Sequence, residues 1–446
     1  MGVGHVASFV LALGVLCAGD WVCAARGHVL VRAGQLLDVK TGHVLVKQTL
    51  LIVDGKVQQV GPHAEVEKSA APNAQVVDLG NFTVLPGLID THTHLTYRNN
   101  VASSEWLSVS APREALIGVQ HARLTLMAGF TTVRNLGARG FSDVALRDSI
   151  NAGEVLGPRM LVSGPAMGST GGHMDSNLLP YAFRYSEEGV ADGKEGVLRK
   201  VRELVKYGAD VIKVAATGGF LSVGTNPDSR QYSDEELSTL VTETHRLGRK
   251  VAAHAHGAGG IKQALRAGVD SIEHGTEIDD ECIQMMKTRG TFLVPTLHLW
   301  SLFHKDASFP GVPPDKILLA QKMQAQMRQN IARAHNAGVK FAFGTDSSVY
   351  PHGENGREFR ALVQVGLSPL AAIRAATIHA AELLGRATTI GQLQPGFFGD
   401  LIAVPQNPLS DVSVLENIPF VMKEGEIVKD LRSAHPCQTN TTPESR

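Results

Sequence analysis

The central motif of the sequence is residues 86–95, which read Pro-Gly-Leu-Ile-Asp-Thr-His-Thr-His-Leu. An apolar strand runs into two histidines, His92 and His94, which are separated by a single residue. Residues i and i+2 of a strand point to the same face, so both imidazoles can reach one point. The pair therefore indicates a metal site, provided that the rest of the chain supplies further ligands.

The composition is that of an ordinary globular protein. The chain has 446 residues, which is enough for one large domain and a smaller one. Its hydrophobic content is 43%, its charged content 19% and its net charge −1. Since no long basic run is present, we expect a small-molecule substrate and no binding of nucleic acid.

The N-terminal residues resemble a secretory signal peptide. An apolar run at 6–18 is followed by small residues before Arg26. A buried helix or a membrane anchor is the alternative, although the run is shorter than the ~20 residues that a spanning helix needs. We predict a signal peptide at 1–25, a secreted or periplasmic protein, and no membrane association after cleavage.

The two ends of the chain share a β-rich pattern. Short apolar runs alternate with polar residues over 28–60, and Asp54-Gly55 between two of them predicts a tight hairpin. Similar runs return at 391–393, 400–404 and 420–428. We expect both ends to build one small β-sandwich domain, residues 26–85 and 387–432, followed by a C-terminal tail at 433–446.

The middle of the chain repeats one unit, in which a helix ends at a glycine and a strand then ends on a polar residue. Together with the strand that carries His92 and one at 159–164, the repeats give eight strands that alternate with helices, and this predicts an α/β fold, a (β/α)8 TIM barrel over 86–386. An open doubly wound sheet is the alternative, but no glycine-rich phosphate turn follows the first strand. The repeats are 129–135, 208–213, 248–254, 268–274, 290–296 and 338–346.

Helix start signals support the helices of this scheme. Ser233 and Glu236 form the pattern of a capping box. Ser368 precedes a proline that suits the first turn of a helix, and an apolar stripe then continues to Gly385.

Six ionisable residues end strands of the predicted barrel, at the end where such barrels carry their active sites. Each alone has a structural explanation, such as a hydrogen-bonded histidine, a solvated lysine or a capping aspartate. Together they are hard to explain independently, because unpaired ionisable groups cost free energy unless something binds them. The six residues are His92, His94, Lys213, His254, His274 and Asp346.

The sequence resembles a known family over nearly all of the chain after residue 25. Residues 86–94 resemble the signature of the amidohydrolase superfamily, and the order His-X-His, Lys, His, His, Asp resembles its two-metal subgroup. Residues 251–257, 271–275, 294–296 and 344–346 resemble the branch that contains Xaa-Pro and Xaa-Arg dipeptidases and ochratoxinases.

The resemblance implies that CO₂ carbamylates Lys213 and that the two carbamate oxygens bridge two divalent cations. Zn²⁺ suits such nitrogen and oxygen ligands best, although Mn²⁺, Co²⁺ and Fe²⁺ stay open. Mononuclear relatives lack the bridging lysine, so this residue favours two metals. The implied ligands are His92, His94 and Asp346 for one cation, and His254 and His274 for the other.

The implied reaction is hydrolysis by a metal-bridging hydroxide, with Asp346 as the catalytic residue that passes a proton to the leaving nitrogen. We predict a metal-dependent amidohydrolase that cleaves the amide bond to a C-terminal amino acid in dipeptides or N-acyl amino acids, including ochratoxin-like ones. The alternatives are a cyclic-amide, lactone or phosphotriester hydrolase on the same site, and a scaffold that has lost its metals. All six ligand positions carry residues of the types that the resemblance requires, which argues against a scaffold that has lost its metals.

Substrate recognition is expected from the strand-to-helix loops, of which 163–175 and 217–232 are long and glycine-rich. From the resemblance we assign His173 to substrate binding and Tyr232 to the scissile carbonyl or the substrate carboxylate. Each of them could instead make only a loop hydrogen bond.

Three further residues are assigned with less support from the pattern. Arg230 is a candidate for the substrate carboxylate, although an arginine before a helix is often only solvated. His298 could line the same pocket, and His256 is expected beside the metal ligands rather than among them. Relatives of this kind often assemble into homo-oligomers, so we expect a homo-oligomer here.

Overall fold

The computed structural model describes residues 27–98, 105–304, 307, 312 and 314–432. The predicted signal peptide and the predicted C-terminal tail lie outside these residues and stay predictions. Within the described part, no helix combines the length and the apolar character that crossing a membrane requires.

The strands alternate with helices through the middle of the chain and dominate both ends. In chain order the strands are β1 (Val29–Leu37), β2 (Val44–Val53), β3 (Lys56–Pro62), β4 (Gln75–Pro86), β5 (Leu88–Thr93), β6 (Phe130–Asn135), β7 (Arg159–Val162), β8 (Val211–Ala215), β9 (Lys250–Ala255), β10 (Ser271–His274), β11 (Phe292–Val294), β12 (Leu401–Val404), β13 (Phe420–Lys423) and β14 (Glu426–Asp430). The α-helices are α1 (His63–Val66), α2 (Ala111–Met127), α3 (Ser142–Asn151), α4 (Gly193–Lys206), α5 (Asp234–Arg246), α6 (Ala258–Ala267), α7 (Asp280–Arg289), α8 (Leu297–Trp300), α9 (Pro314–Asn336), α10 (Arg357–Gln364), α11 (Pro369–Ala375) and α12 (Ile378–Leu383). Short 3₁₀ turns cover Glu67–Ser69, Glu105–Ser108, Tyr181–Phe183 and Val412–Glu416.

Both chain ends contribute to one sheet with the strand order β14-β13-β12-β4-β1-β2-β3. β4 pairs in parallel with β1 and antiparallel with β12, which joins the two ends. Buried side chains from both ends, among them Leu79 and Phe420, share one apolar core. Asp54 and Gly55 both have positive φ, as the predicted hairpin turn requires. The predicted strand at 391–393 does not form, because the chain bends at Gly391 and Gln392.

A closed barrel of eight parallel positions occupies the middle of the chain. β5 to β7 form one parallel group and β8 to β11 form another. Met167, beyond β7, bridges Val214 of β8, and Leu293 of β11 bridges Phe341. The Phe343 carbonyl then accepts a hydrogen bond from β5 at 2.8 Å, which closes the ring. The predicted (β/α)8 barrel with an additional β domain is therefore confirmed, whereas the residue limits of the two domains stay predictions.

The predicted eighth strand, 338–346, fills its place without becoming a regular strand. Its backbone turns to φ 58° at Asp346, whose N–H donates to the His92 carbonyl at 2.7 Å. A Cβ on Gly344 would lie 2.8 Å from Cβ of His92 and 2.3 Å from Cγ1 of Val294. Glycine is therefore needed here, because the segment passes unusually close to the strand that carries the histidine pair.

The helix start signals are confirmed, but one predicted helix is split. The Ser233 hydroxyl accepts a hydrogen bond from the N–H of Glu236, whose carboxylate accepts one from the Ser233 N–H. Ser368 caps α11 with its side chain. The helix expected to continue to Gly385 breaks into α11 and α12, because Thr377 has φ −132° and ψ −95°.

Candidate metal centre

The predicted metal ligands converge at the C-terminal end of the barrel strands. The ring centroids of His92 and His94 are 5.3 Å apart. The His274 ring lies 5.2 Å from that of His92 and 4.7 Å from that of His254. Asp346 Oδ1 lies 3.0 Å from Nε2 of His94. Five residues from four barrel positions thus surround one small volume. These five residues, together with Lys213, are called the metal group below.

Lys213 of β8 completes the predicted set and is only 1% exposed. Its Nζ lies 3.5 Å from Nε2 of His92, and the described part of the chain offers it no other hydrogen bond. Burial lowers the pKa of Lys213 to about 8, against the charges of Glu273 and Asp346, which raise it. More of this side chain is therefore a neutral amine than in a solvated lysine.

Three histidines of the group, His94, His254 and His274, are held as neutral imidazoles. Burial, the largest cause, lowers the pKa of His254 and of His274 well below the usual value, and it also lowers the pKa of His94. A neutral imidazole keeps the lone pair that a metal ion binds.

Ring nitrogens remain available on these imidazoles. Nε2 of His254 donates to the Gly218 carbonyl at 3.2 Å, which leaves Nδ1 with a lone pair. Nδ1 of His274 pairs with the Thr296 hydroxyl at 2.8 Å, which leaves Nε2. Nδ1 of His94 is buried and has no hydrogen-bond partner in the described part of the chain.

The potential ligand atoms form two groups that share one histidine. Atoms of His92, His274 and Asp346 lie within 4.8 Å of one another, and so do atoms of His254, His256 and His274. The sequence predicts His256 beside the metal ligands. In the structure a ring nitrogen of His256 lies within 4.8 Å of ring nitrogens of His254 and His274.

This donor set fits divalent cations. Imidazole nitrogens and a carboxylate oxygen are ligands that Zn²⁺ accepts, and the buried, unpaired Nδ1 of His94 is a donor without a protein partner. Together with the lysine, the described residues offer more donors than the four that one tetrahedral cation uses.

A buried ion pair behind the group orients His92, and sequence analysis missed it. Glu273 accepts a hydrogen bond from Nδ1 of His92 at 2.8 Å and one from Arg134 Nη2 at 2.8 Å. Burial raises the pKa of Glu273, but the Arg134 charge and the His92 hydrogen bond outweigh it and bring the pKa to about 2. The available signal was one charged residue in each of two predicted barrel strands, which does not indicate that the two residues pair.

A second missed residue, Asp90, ties the histidine strand to the segment that carries Asp346. Its carboxylate accepts hydrogen bonds from the Thr345 hydroxyl at 2.6 Å and from Asn355 Nδ2 at 2.8 Å. It also accepts one from the His92 N–H at 3.1 Å. Burial raises the pKa of Asp90 to about 6 despite these bonds.

Among the predicted substrate residues, His173 is the one in direct contact with the metal group. Its ring stacks on that of His254 with 4.0 Å between the centroids. Its N–H donates to the Gln231 side chain at 2.8 Å, and its Nδ1 pairs with the Ser222 hydroxyl at 2.8 Å. Burial, followed by the Lys213 charge, lowers the pKa of His173 to about 4.

Three other predicted substrate residues make no hydrogen bond or ring contact with the metal group within the described residues. Tyr232 is buried and its hydroxyl has no hydrogen-bond partner there. Arg230 is exposed and lies 3.9 Å from a carboxylate oxygen of Asp234. The His298 ring packs edge-on against Tyr350 with 4.9 Å between centroids.

A cavity of about 460 Å³ opens beside the metal group. His173 lines one side, and Tyr97 and Ser348 line the side near the two chain segments that carry His94 and Asp346. Its volume falls within the range of pockets that bind small organic ligands. The site therefore combines a set of metal ligands with space for an organic substrate.

Comparisons with known proteins agree with this geometry. The model of the amidohydrolase family matches residues 83–428. The chain is similar to the ochratoxinase of Aspergillus niger, with 33% identity over 423 residues that cover 90% of this chain and 86% of that protein.

Two solved structures are similar over the same part of the chain. One is a Xaa-Pro dipeptidase with methionine bound in its active site, with a TM-score of 0.83, 35% identity and coverage of 90% of this chain and 99% of that chain. The other is a prolidase complexed with N-methylphosphonate-L-proline, with a TM-score of 0.81, 32% identity and coverage of 90% and 100%. The chain therefore belongs to the amidohydrolase family and is a hydrolytic enzyme.

Proposed function

We propose that the enzyme is a metal-dependent amidohydrolase that releases a C-terminal amino acid from dipeptides or N-acyl amino acids. The observation that carries the proposal is the convergence of four strand-end imidazoles, one carboxylate and one buried lysine beside a cavity of about 460 Å³. The substrate class is supported by the ochratoxinase, the Xaa-Pro dipeptidase and the prolidase to which the chain is similar.

Two divalent cations, most suitably Zn²⁺, would be held by the residues described above. When bound, such cations polarise an amide carbonyl and lower the pKa of a water molecule toward ~7. We propose that His92, His94 and Asp346 would hold one cation, that His254 and His274 would hold the other, and that Lys213 would contribute to both.

We propose that Lys213 carries a carbamate. The neutral amine adds to the carbon of CO₂ and releases one proton, which leaves a carbamate whose single negative charge is shared by two oxygens. A buried ammonium group whose one hydrogen bond to the described residues is a 3.5 Å contact to His92 would be costly, and this geometry supports the modified form.

Asp346 is the proposed proton carrier. Its Oδ1 lies 3.0 Å from Nε2 of His94 and 3.4 Å from Nε2 of His92, at the open end of the barrel. Although burial alone raises the pKa of Asp346, the neighbouring histidines hold it well below the usual value, so the carboxylate is ionised and can accept a proton. It would then deliver this proton to the nitrogen of the leaving amino acid.

His173 is the proposed substrate contact, because its ring lies on His254 and also lines the cavity. Three further residues remain proposed substrate contacts: Tyr232, Arg230 and His298. Each would contact the substrate only after its side chain moves toward the metal site, or through a part of the substrate that extends away from that site. A small-molecule substrate and a homo-oligomer remain the expected partners.

A substrate panel tests the proposed function. Purified enzyme supplied with Zn²⁺ and bicarbonate is incubated with dipeptides and N-acyl amino acids, and separately with lactones, cyclic amides and phosphotriesters. Release of free amino acid from the first group, and its loss in the Asp346→Asn variant, would support the proposal. Turnover confined to the second group would refute it and favour the cyclic-amide, lactone or phosphotriester hydrolase.

Export is proposed on residues 1–25 alone. Expression of the full chain in a host with a secretion pathway, followed by N-terminal sequencing of the extracellular protein, tests it. Retention of the leader on an intracellular enzyme would contradict export.

A further inference from the structure

Lys316, in the first turn of α9, anchors one of the two glycine-rich loops at the metal centre. Its Nζ donates to the carbonyl of Ser222 at 2.8 Å, to that of Gly219 at 3.4 Å and to that of Thr225. An ammonium group has three N–H donors, and three loop carbonyls therefore satisfy all of them. The side chain is partly buried, so these bonds are shielded from competing water.

The anchored loop holds His173. The Ser222 hydroxyl pairs with Nδ1 of His173 at 2.8 Å and with the Thr225 hydroxyl at 2.6 Å. The Gly219 N–H donates to the same Thr225 hydroxyl at 3.3 Å. The loop is thus a compact turn whose carbonyls face the lysine and whose Ser222 hydroxyl faces the histidine.

Close packing makes the position of His173 sensitive to this loop. A Cβ on Gly219 would lie 2.4 Å from Cε1 of His173, so the loop backbone passes against the imidazole ring. The His173 ring also stacks on His254, with 4.0 Å between the ring centroids. Leu221 and Val223 of the same loop line the cavity of about 460 Å³. Movement of the loop would therefore change both the histidine and the cavity wall.

We propose that Lys316 is a positioning residue that sets substrate affinity by fixing the 219–225 loop and, through Ser222, the His173 ring. All three hydrogen bonds of Lys316 end on carbonyls of this loop, and none of them ends on a proposed metal ligand. The effect on substrate rests on the proposed function, whereas the effect on the loop does not.

The test compares Lys316→Met with Lys322→Met, the same substitution at an exposed lysine of the same helix. Lys316→Met should speed hydrogen exchange of residues 217–226 and raise KM about tenfold, the cost of one oriented polar contact. kcat should change by less than about twofold, because the chemical step keeps its groups. Metal content should not change, and Lys322→Met should match the wild type throughout.

Three further variants separate positioning from general stability. Ser222→Ala cuts the link at its other end and should raise KM in the same way while Lys316 stays in place. In the double variant of His173→Ala and Lys316→Met, KM should rise less than the two single effects predict together, because the lysine acts largely through the histidine. Lys316→Arg should restore KM in part, since it keeps the charge but not the geometry of three single donors.

Unchanged hydrogen exchange of the loop in Lys316→Met would overturn the proposal, and so would additive effects of the two substitutions on KM. If the wild-type enzyme cleaves no substrate of the panel, the proposed function fails, and the hydrogen exchange measurement still decides whether the lysine fixes the loop.

Discussion

The carboxylate of Glu273 accepts a hydrogen bond from Nδ1 of His92 at 2.8 Å. Because the carboxylate is ionised, Nδ1 carries the proton and Nε2 keeps its lone pair. This Nε2 lies 3.5 Å from Nζ of Lys213 and 3.4 Å from Oδ1 of Asp346. Glu273 thus selects the tautomer and the ring orientation with which His92 can bind a metal ion.

Glu273→Gln should weaken metal binding by roughly 10–100-fold, because such outer partners orient the ligand and raise its basicity. It should also lower the free energy of unfolding by ~3–5 kcal/mol, since the buried Arg134 charge loses its partner. Competition with a chelator measures the first effect and denaturant unfolding the second. Glu195→Gln, at an exposed position of α4, is the matched control and should change neither. Wild-type metal affinity in Glu273→Gln would contradict the orienting role.

Lys213→Ala tests the carbamate. Without the two oxygens that the proposed carbamate would supply, metal content should fall below two ions per chain and kcat/KM should drop by more than about 100-fold, beyond the loss of an outer partner. Elemental analysis and amino acid release measure these changes. Acetate should restore part of the activity, because a small carboxylate can supply two oxygens in the space that the side chain leaves. Two bound metal ions and unchanged activity would rule out the bridge.

The barrel and the six clustered residues were predictable because their signals are local. A glycine, a short apolar run and a terminal polar residue mark each barrel strand, and the C-terminal ends of parallel strands meet at one end of a barrel. The eighth position was found by the same pattern, although Asp346 turns away from regular strand geometry with φ 58°.

The supporting contacts were not predictable, since they join residues that are distant in the sequence. Arg134 meets Glu273 across 139 positions, and Lys316 meets Gly219 across 97. No local pattern marks such pairs. Arg230 illustrates a prediction that relied on residue type alone. Its guanidinium group suits a substrate carboxylate, but the side chain is exposed in the structure.

Glu358 should make the stability of the fold depend on pH. It is fully buried and accepts the N–H groups of Leu297 and His298 at 2.8 and 2.6 Å. Burial, the largest cause, raises its pKa from 4.5 to about 8 despite these bonds. The folded protein therefore holds a proton that the unfolded chain releases in this window. The contribution of Glu358 to the free energy of unfolding is complete below the pKa that this residue has in the unfolded chain. The contribution is lost as the pH rises to about 8, at up to ~1.4 kcal/mol per pH unit.

Glu358→Gln removes this titration, so the wild type should lose more free energy of unfolding than the variant between about pH 5 and about pH 8. Urea unfolding of both proteins across this range measures the difference, which cancels the contributions of the other ionisable groups. Parallel curves would mean that Glu358 is already ionised in the fold.

Gly344→Ala tests whether close approach of the eighth barrel position builds the metal centre. The added methyl group would lie 2.8 Å from Cβ of His92 and 2.3 Å from Cγ1 of Val294, and both are held in the barrel wall. The segment must therefore move outward, which should cost ~1–3 kcal/mol of unfolding free energy and reduce metal affinity by displacing Asp346 from His94. Denaturant unfolding and metal titration measure the two effects. Gly196→Ala is the matched control, because its added methyl group meets nothing within 4 Å and lies inside α4, where alanine should raise stability by ~0.5–1 kcal/mol. Wild-type metal affinity in Gly344→Ala would mean that Asp346 keeps its position without this close contact. The path of residues 338–346 would then serve only to close the barrel.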